Sequence, residues 1–251
     1  MPPSSSKHDY YQTQYPALWQ RRNLTYLQSA ERVRYYEQFL QAIDGRAGEQ
    51  ILDCGVGTGR PLALQLAQQG CRMHGIDLSA ILLAECARNC EQAGEAIENV
   101  QGGLEALPFP TGFFDKVYAS SVIWRVDDAE AALREMHRVT REGGVLIFDV
   151  LNALHITPLT SRIYHWALIT FRGKPKALAN LILPPGTWRR WLKQLNLEVR
   201  SRGFFILLPT SLPLFGERMN LCRHSERLSF GWADSRLQYL GEKLLFICQK
   251  R

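Results

Sequence analysis

The stretch Ile51-Leu52-Asp53-Cys54-Gly55-Val56-Gly57-Thr58-Gly59-Arg60 restricts the fold more than any other part of the chain. A short apolar run ends near an Asp and passes into G-x-G-x-G, with Pro61 placed to open a helix. Residues without Cβ atoms let the backbone turn sharply at the carboxyl end of a strand and approach a ligand closely. A second apolar run, 72–76, follows the helix, and next comes Asp77, 20 positions after Gly57. A carboxylate there can accept both hydrogen bonds of a ribose diol. Strand, glycine loop, helix, strand and terminal acid together predict a ligand that contains adenosine.

Which adenosine ligand is narrowed by the spacing. A dinucleotide fingerprint is G-x-G-x-x-G, whose third glycine and helix dipole serve a pyrophosphate. Here the third glycine, Gly59, comes one residue too early. Asp53 would repel a pyrophosphate, yet it would attract the ammonium of a methionine moiety, directly or through water. No G-x-x-x-x-G-K-[ST] is present, which excludes a P-loop.

Helix and strand keep alternating downstream. A helix is predicted over 18–43, strands over 50–54 and 72–76, a helix over 79–92, and strands over 97–101 and 115–119. A helix over 128–140 puts Ala132, Leu133, Met136 and Val139 on one face, with Gly143-Gly144 expected to end it before the apolar strand 145–150. Such alternation implies a parallel sheet with helices on both faces. Beyond 151 the pattern is broken by Pro158, Pro175, Pro184 and Pro185, and Thr187 is expected to cap a helix through 195. Two late strands, 197–208 and 243–249, complete the sheet.

Composition sets the outer limits. With 251 residues, 46% of them hydrophobic, the chain can bury one sizeable core, which excludes a disordered or collagen-like protein. No run of 18 apolar residues occurs, and the first residues lack the apolar core of a secretory signal, so a cytoplasmic location is expected. The six cysteines include no C-x-x-C pair and the six histidines are scattered, so thiols packed as small apolar residues and no metal site are expected. The net charge of +6 is unevenly spread. Residues 1–150 hold 14 Lys/Arg against 19 Asp/Glu, whereas 151–251 hold 16 against 5. The basic last part suits an anionic substrate, a peripheral membrane contact or nucleic acid, or is an ordinary solvated face.

Three blocks carry a resemblance to a known family. They are the glycine loop, the segment Gly102-Gly103-Leu104-Glu105-Ala106-Leu107-Pro108-Phe109-Pro110 with Phe114-Asp115, and Leu133-Arg134-Glu135-Met136-His137-Arg138-Val139 leading to Gly143-Gly144. Over about residues 45–150 the chain resembles the class I S-adenosylmethionine-dependent methyltransferases, in particular the small-molecule branch typified by quinone-biosynthesis enzymes. The resemblance implies a Rossmann-like, doubly wound, seven-stranded α/β sheet with a helical acceptor cap. It divides the chain into an N-terminal helical lid, 1–44, and a methyltransferase domain, 45–251, with the cap inserted at about 151–185. The implied cofactor is S-adenosyl-L-methionine, which leaves as S-adenosyl-L-homocysteine.

Carried over by position, Gly55, Gly57 and Gly59 would hold the methionine part, Asp77 the ribose hydroxyls, and Leu78 the adenine. Gly103 stands where the family often has an Asp on the adenine amino group, so that contact is missing; Leu104 is left to supply backbone contacts and an apolar wall. Ser120 matches a position whose backbone meets the methionine end. Trp124-Arg125 replaces a pair that relatives often have as His-His, and Trp124 is either core or a wall of the acceptor pocket.

Methyl transfer from a sulfonium is an in-line displacement, so alignment and exclusion of water matter most. A base helps where the acceptor is a phenol or a protonated amine, and His155 is the candidate, with a locally hydrogen-bonded residue as the alternative. Tyr11 is the lid tyrosine singled out to cover the site, with Tyr10 and Tyr15 beside it, and Trp166 is a candidate acceptor contact in the cap. Arg162, Arg172, Lys174 and Lys176 suit an anionic or carrier-bound acceptor. The expected reaction is methyl transfer to oxygen or nitrogen of a small hydrophobic or aromatic metabolite. A nucleic-acid methyltransferase and a non-catalytic cofactor-binding protein are the alternatives; the missing N-P-P-Y type motif argues against the first.

Overall fold

The computed structural model describes residues 30–154, 181–204 and 243–251, together with Tyr10. The described helices are α1 (Ala30–Ile43), α2 (Leu62–Gln68), α3 (Ala80–Ala93), α4 (Ala129–Val139) and α5 (Pro185–Gln194). The strands are β1 (Gln50–Cys54), β2 (Arg72–Asp77), β3 (Ile97–Gln101), β4 (Phe114–Ala119), β5 (Thr140–Leu151), β6 (Leu197–Phe204) and β7 (Lys243–Lys250). They form one seven-stranded sheet in the order β3-β2-β1-β4-β5-β7-β6. The first five are parallel, and β7 runs antiparallel between β5 and β6. The chain reverses direction across the sheet between β1 and β4, where a doubly wound sheet opens a crevice at its carboxyl edge.

Alternate residues of each strand serve opposite faces. On one face Leu146, Phe148 and Val150 of β5 pack with Leu133 and Met136 of α4 and with Trp188 and Leu192 of α5. On the other, Ile147 joins Phe39 and Ile43 of α1, Leu62 and Leu66 of α2, and Cys86 and Cys90 of α3. Phe39 is fully buried, so the described part of the segment expected as a lid contributes to the core itself. Cys54, Cys71, Cys86, Cys90 and Cys248 are buried and unbridged, filling space as small apolar groups. Among the described residues no helix is long and apolar enough to cross a membrane.

Two expected boundaries move. Gly143-Gly144 do not end α4; they lie inside β5. The helix stops because Thr140 turns extended while its hydroxyl donates to the Met136 carbonyl at 2.7 Å. The glycines serve a register shift opposite Phe114 and Lys116, where a Cβ on Gly144 would sit 2.8 Å from the Asp115 carbonyl oxygen. Thr187 likewise does not cap α5. Pro184 holds the cap position and Pro185 the first turn, where its missing N–H costs nothing, so Thr187 falls within the helix. Most of the cap at 151–185 and the end of the strand expected at 197–208 fall outside the described residues.

Candidate active site

β1 brings Asp53 to the carboxyl edge between Gly75 of β2 and Tyr118 of β4. The Tyr118 hydroxyl donates to Asp53 Oδ2 at 2.7 Å. Asp53 is buried, and that burial pushes its carboxyl up to about 7; Asp77 adds to the effect and the Tyr118 hydrogen bond opposes it. An acid of this kind is poised to ionise when a cation is placed beside it.

The glycine loop leaves β1 with the Gly55 and Val56 amides donating to the Ile76 carbonyl, at 2.7 and 3.1 Å. At Gly55, φ is +87° and a Cβ would come 2.4 Å from Val122 Cγ2, so a side chain is excluded by conformation and by space. Gly57 differs: its φ is +55°, but a Cβ there would meet nothing within 4 Å. The loop thus bends around an open space at Gly57. Asn89 of α3 fixes the loop from behind by donating to the Thr58 carbonyl at 2.9 Å.

Asp77 closes the other side of this space. Its Oδ2 accepts the Gly57 amide at 3.0 Å and its Oδ1 the Ser79 amide at 2.8 Å. Burial raises its pKa, and the two amides hold it back. Ser79 in turn caps α3 by accepting from the Leu82 amide. The Gly102 amide donates to the Asp77 carbonyl at 3.1 Å, bringing the β3 exit alongside. A Cβ on Gly103 would lie 3.7 Å from Leu78 Cδ2, so Leu78 and Gly103 border the same region. Leu104, the next residue, is 3% exposed and packs into the core.

The 107–110 loop is pinned from α4. The Leu107 amide donates to Glu135 Oε2 at 2.8 Å, and Arg138 donates to the Leu107 and Phe109 carbonyls, both at 2.9 Å. Arg138 also grips Glu135 with two bonds, of 2.7 and 2.8 Å. The Glu135 and Arg138 positions of the third sequence block thus support a loop rather than contact a ligand.

At the end of β4 stands a group of residues that the sequence reading passed over, apart from Ser120. The Tyr35 hydroxyl of α1 lies 2.9 Å from Ser120 Oγ and 3.0 Å from Ser121 Oγ. Ser121 is left-handed, with φ +60°, and its amide donates to Asp149 Oδ1 of β5. Lys243, the first residue of β7, donates to Ser121 Oγ at 2.7 Å and to Asp149 Oδ2 at 2.8 Å. Its ammonium also sits 4.6 Å from the centre of the Tyr35 ring. One signal was present in the sequence: an Asp inside the apolar run 145–150. Its partner was invisible without the pairing that puts Lys243 opposite Leu151.

Trp124 is 5% exposed within the core, and the Arg125 guanidinium lies 4.2 Å from its ring centre. The structure therefore places Trp124 in the core, with Arg125 stacked against its ring. Arg125 is also held by the Ser121 carbonyl at 2.9 Å. Tyr11, His155 and Trp166 lie outside the described residues.

Asp53, the open Gly57 backbone, Asp77, Leu78 and Ser120 thus lie along one edge, the carboxyl edge of the sheet beside the topological switch. It offers an acid for an ammonium, room against a bare backbone, and a carboxylate for a diol, which suits the methionine, sulfonium and ribose parts of S-adenosylmethionine. Residues 52–148 match the methyltransferase domain family. The chain is 34% identical over 220 residues to the malonyl-[acyl-carrier protein] O-methyltransferase of Enterobacter lignolyticus (strain SCF1), covering 82% of this chain and 79% of that one. It is 30% identical over 169 residues to the demethylmenaquinone methyltransferase of Thermobifida fusca (strain YX), covering 64% of this chain and 71% of the relative. In fold it is similar to magnesium protoporphyrin IX methyltransferase from Synechocystis PCC 6803, solved with bound S-adenosylhomocysteine, with a TM-score of 0.65 at 16% identity over 97% of this chain and 98% of that one. The chain belongs to the class I S-adenosylmethionine-dependent methyltransferases. It is an enzyme of methyl transfer, and S-adenosylmethionine is its methyl donor.

Proposed function

We propose that this enzyme methylates an oxygen or nitrogen of a small hydrophobic or aromatic metabolite, free or attached to a carrier. The observation that carries this reading is the surface at the end of β4. There the half-buried Ser120 and Ser121 hydroxyls stand against the hydroxyl of the buried Tyr35, and the Lys243 ammonium beside them is neutralised by Asp149. With this lysine paired, the edge favours a small acceptor with a polar tip over a string of phosphates. The two relatives are named for methylating a carrier-bound malonyl group on oxygen and a demethylated quinone, which supports a small or carrier-attached acceptor over a macromolecule such as RNA.

When bound, the donor supplies a methyl group activated by its sulfonium. The protein's part is binding and alignment. Asp77 takes the ribose hydroxyls on lone pairs not used by the Gly57 and Ser79 amides, and Asp53 takes the methionine ammonium. Gly57 lets the loop close against the donor, and the Ser120 backbone borders its methionine end. The 107–110 loop, held by Glu135 and Arg138, would back the adenine side. His155, four residues past the end of β5, is the base this reading assigns for a phenolic acceptor; a carboxylate acceptor would need none.

The test is transfer of a radiolabelled methyl group from S-adenosylmethionine to a malonyl thioester on a carrier protein, a demethylated quinol, a set of hydroxylated aromatics, and transfer RNA. Label on an oxygen or nitrogen of any of the first three, and none in RNA, is expected, and label on a quinol ring carbon alone would contradict the oxygen or nitrogen assignment. Label confined to RNA would overturn the reading.

A further inference from the structure

The contact between β7 and the end of β4 joins two charges that the cofactor crevice does not itself require. Asp149 is fully buried near the carboxyl end of β5, and the Lys243 side chain is 13% exposed. Their ion pair is 2.8 Å long. Burying both groups is costly unless each is satisfied, and here each is: Asp149 also accepts the Ser121 amide, and Lys243 also donates to Ser121 Oγ. The pair holds Ser121 in a left-handed conformation that a serine seldom adopts. Ser121 is flanked by Ser120, at the methionine end, and by Val122, whose side chain fills the place of a Gly55 Cβ. The two charges therefore lie directly behind the part of the crevice where the donor's sulfonium and the acceptor must meet.

We propose that Lys243 is a positioning residue for methyl transfer, which sets the Ser120–Ser121 turn and cancels the Asp149 charge beneath the methyl end. Cancellation matters because methyl transfer carries a positive charge out of the sulfonium: the S–CH3 bond breaks with its electron pair left on sulfur, and the acceptor atom forms the new bond to carbon. An uncompensated carboxylate below that point would hold the cationic donor more tightly than the neutral thioether product, and so stabilise the ground state over the transition state. An uncompensated ammonium would do the reverse. A balanced pair fixes the turn without either bias.

The reading is tested with the two cofactor forms alone. Dissociation constants for S-adenosylmethionine and S-adenosylhomocysteine are measured by calorimetry at about pH 8 for wild type, Lys243→Gln, Asp149→Asn and the double variant. Lys243→Gln is expected to shift the ratio of the two constants toward the sulfonium form by about threefold or more, and Asp149→Asn to shift it toward the thioether by a similar factor. The double variant is expected to return to within about twofold of wild type. A purely structural role would weaken both ligands together and leave the ratio unchanged. Equal ratios in folded single variants, or shifts of the same sign in both, would overturn the proposal. If one single variant does not fold, the other is still expected to shift the ratio and the double to restore it; if only the double folds, the pair serves folding alone and the proposal fails. Absence of binding by wild type would instead count against the cofactor assignment.

Discussion

The Asp77 carboxylate accepts the Gly57 amide at 3.0 Å, so the acid that ends β2 also holds the glycine loop that leaves β1. The two sequence marks separated by 20 residues are thus one physical unit. One oxygen steadies the loop, the other steadies the start of α3 through Ser79, and the remaining lone pairs are left for a diol. Loop shape and ribose recognition rise or fall together.

The glycines of the loop are expected to separate by substitution. Gly55→Ala places a Cβ against Val122 in a left-handed conformation, and should cost about 2 to 4 kcal/mol of stability, read by chemical denaturation. Gly57→Ala meets no protein atom and should cost only about 1 kcal/mol, yet it should weaken donor binding strongly because the methyl group occupies the crevice. A stability loss at Gly57 as large as at Gly55 would contradict this division.

Asp53 makes stability and binding depend on pH in a defined direction. Its folded pKa is raised from 3.8 to about 7, chiefly by burial. Between those values the folded chain keeps a proton that the unfolded chain has released. Its contribution to stability is therefore full below 3.8 and is lost as pH rises through about 7. Asp53→Asn stays neutral and still accepts from Tyr118, so its stability relative to wild type should rise from about pH 5 to about pH 8 in urea titrations. Donor affinity, which needs the ionised acid opposite the ammonium, should strengthen over the same range by more in wild type than in Asp53→Asn.

Much of this was legible because the signals are local. β1 and β2 follow from their apolar runs, α3 from Ser79, and the crevice acids from one glycine spacing. What was not legible depends on chain returning from far away. Tyr35 and Lys243 meet Ser121 from positions 86 and 122 residues distant. Trp124 read equally well as core or pocket wall, since its burial is decided by the core it packs into and by its stacking with Arg125. Gly143-Gly144 looked like a helix stop because a bulge and a helix end both call for glycine; only the pairing with β4 distinguishes them.

Arg138 is expected to act at a distance from the chemistry. Arg138→Ala frees the Leu107 and Phe109 carbonyls and leaves Glu135 without its partner, at a cost of about 1 to 3 kcal/mol in denaturant. Donor affinity should fall modestly, since the freed loop lies behind the adenine side. A variant as stable as wild type would show that the loop is held by other means.

The Tyr35 hydroxyl joins α1 to the turn after β4. Tyr35→Phe keeps the ring beside Lys243 and removes the bonds to Ser120 and Ser121, so a stability loss of about 1 kcal/mol is expected. Methyl transfer should fall through kcat more than through the apparent KM for the donor, because the turn and not the ribose site is loosened. A change confined to the donor KM would contradict that.

The most direct test is calorimetric titration with S-adenosylmethionine of the wild-type protein and of Asp77→Ala, with melting curves to confirm that both are folded. Wild type should bind in the micromolar range, and the variant more weakly by about 1 to 3 kcal/mol, the scale of hydrogen bonds lost to a charged group. No binding by folded wild type, or equal affinity in folded Asp77→Ala, would contradict the placement of the donor between the glycine loop and the end of β2.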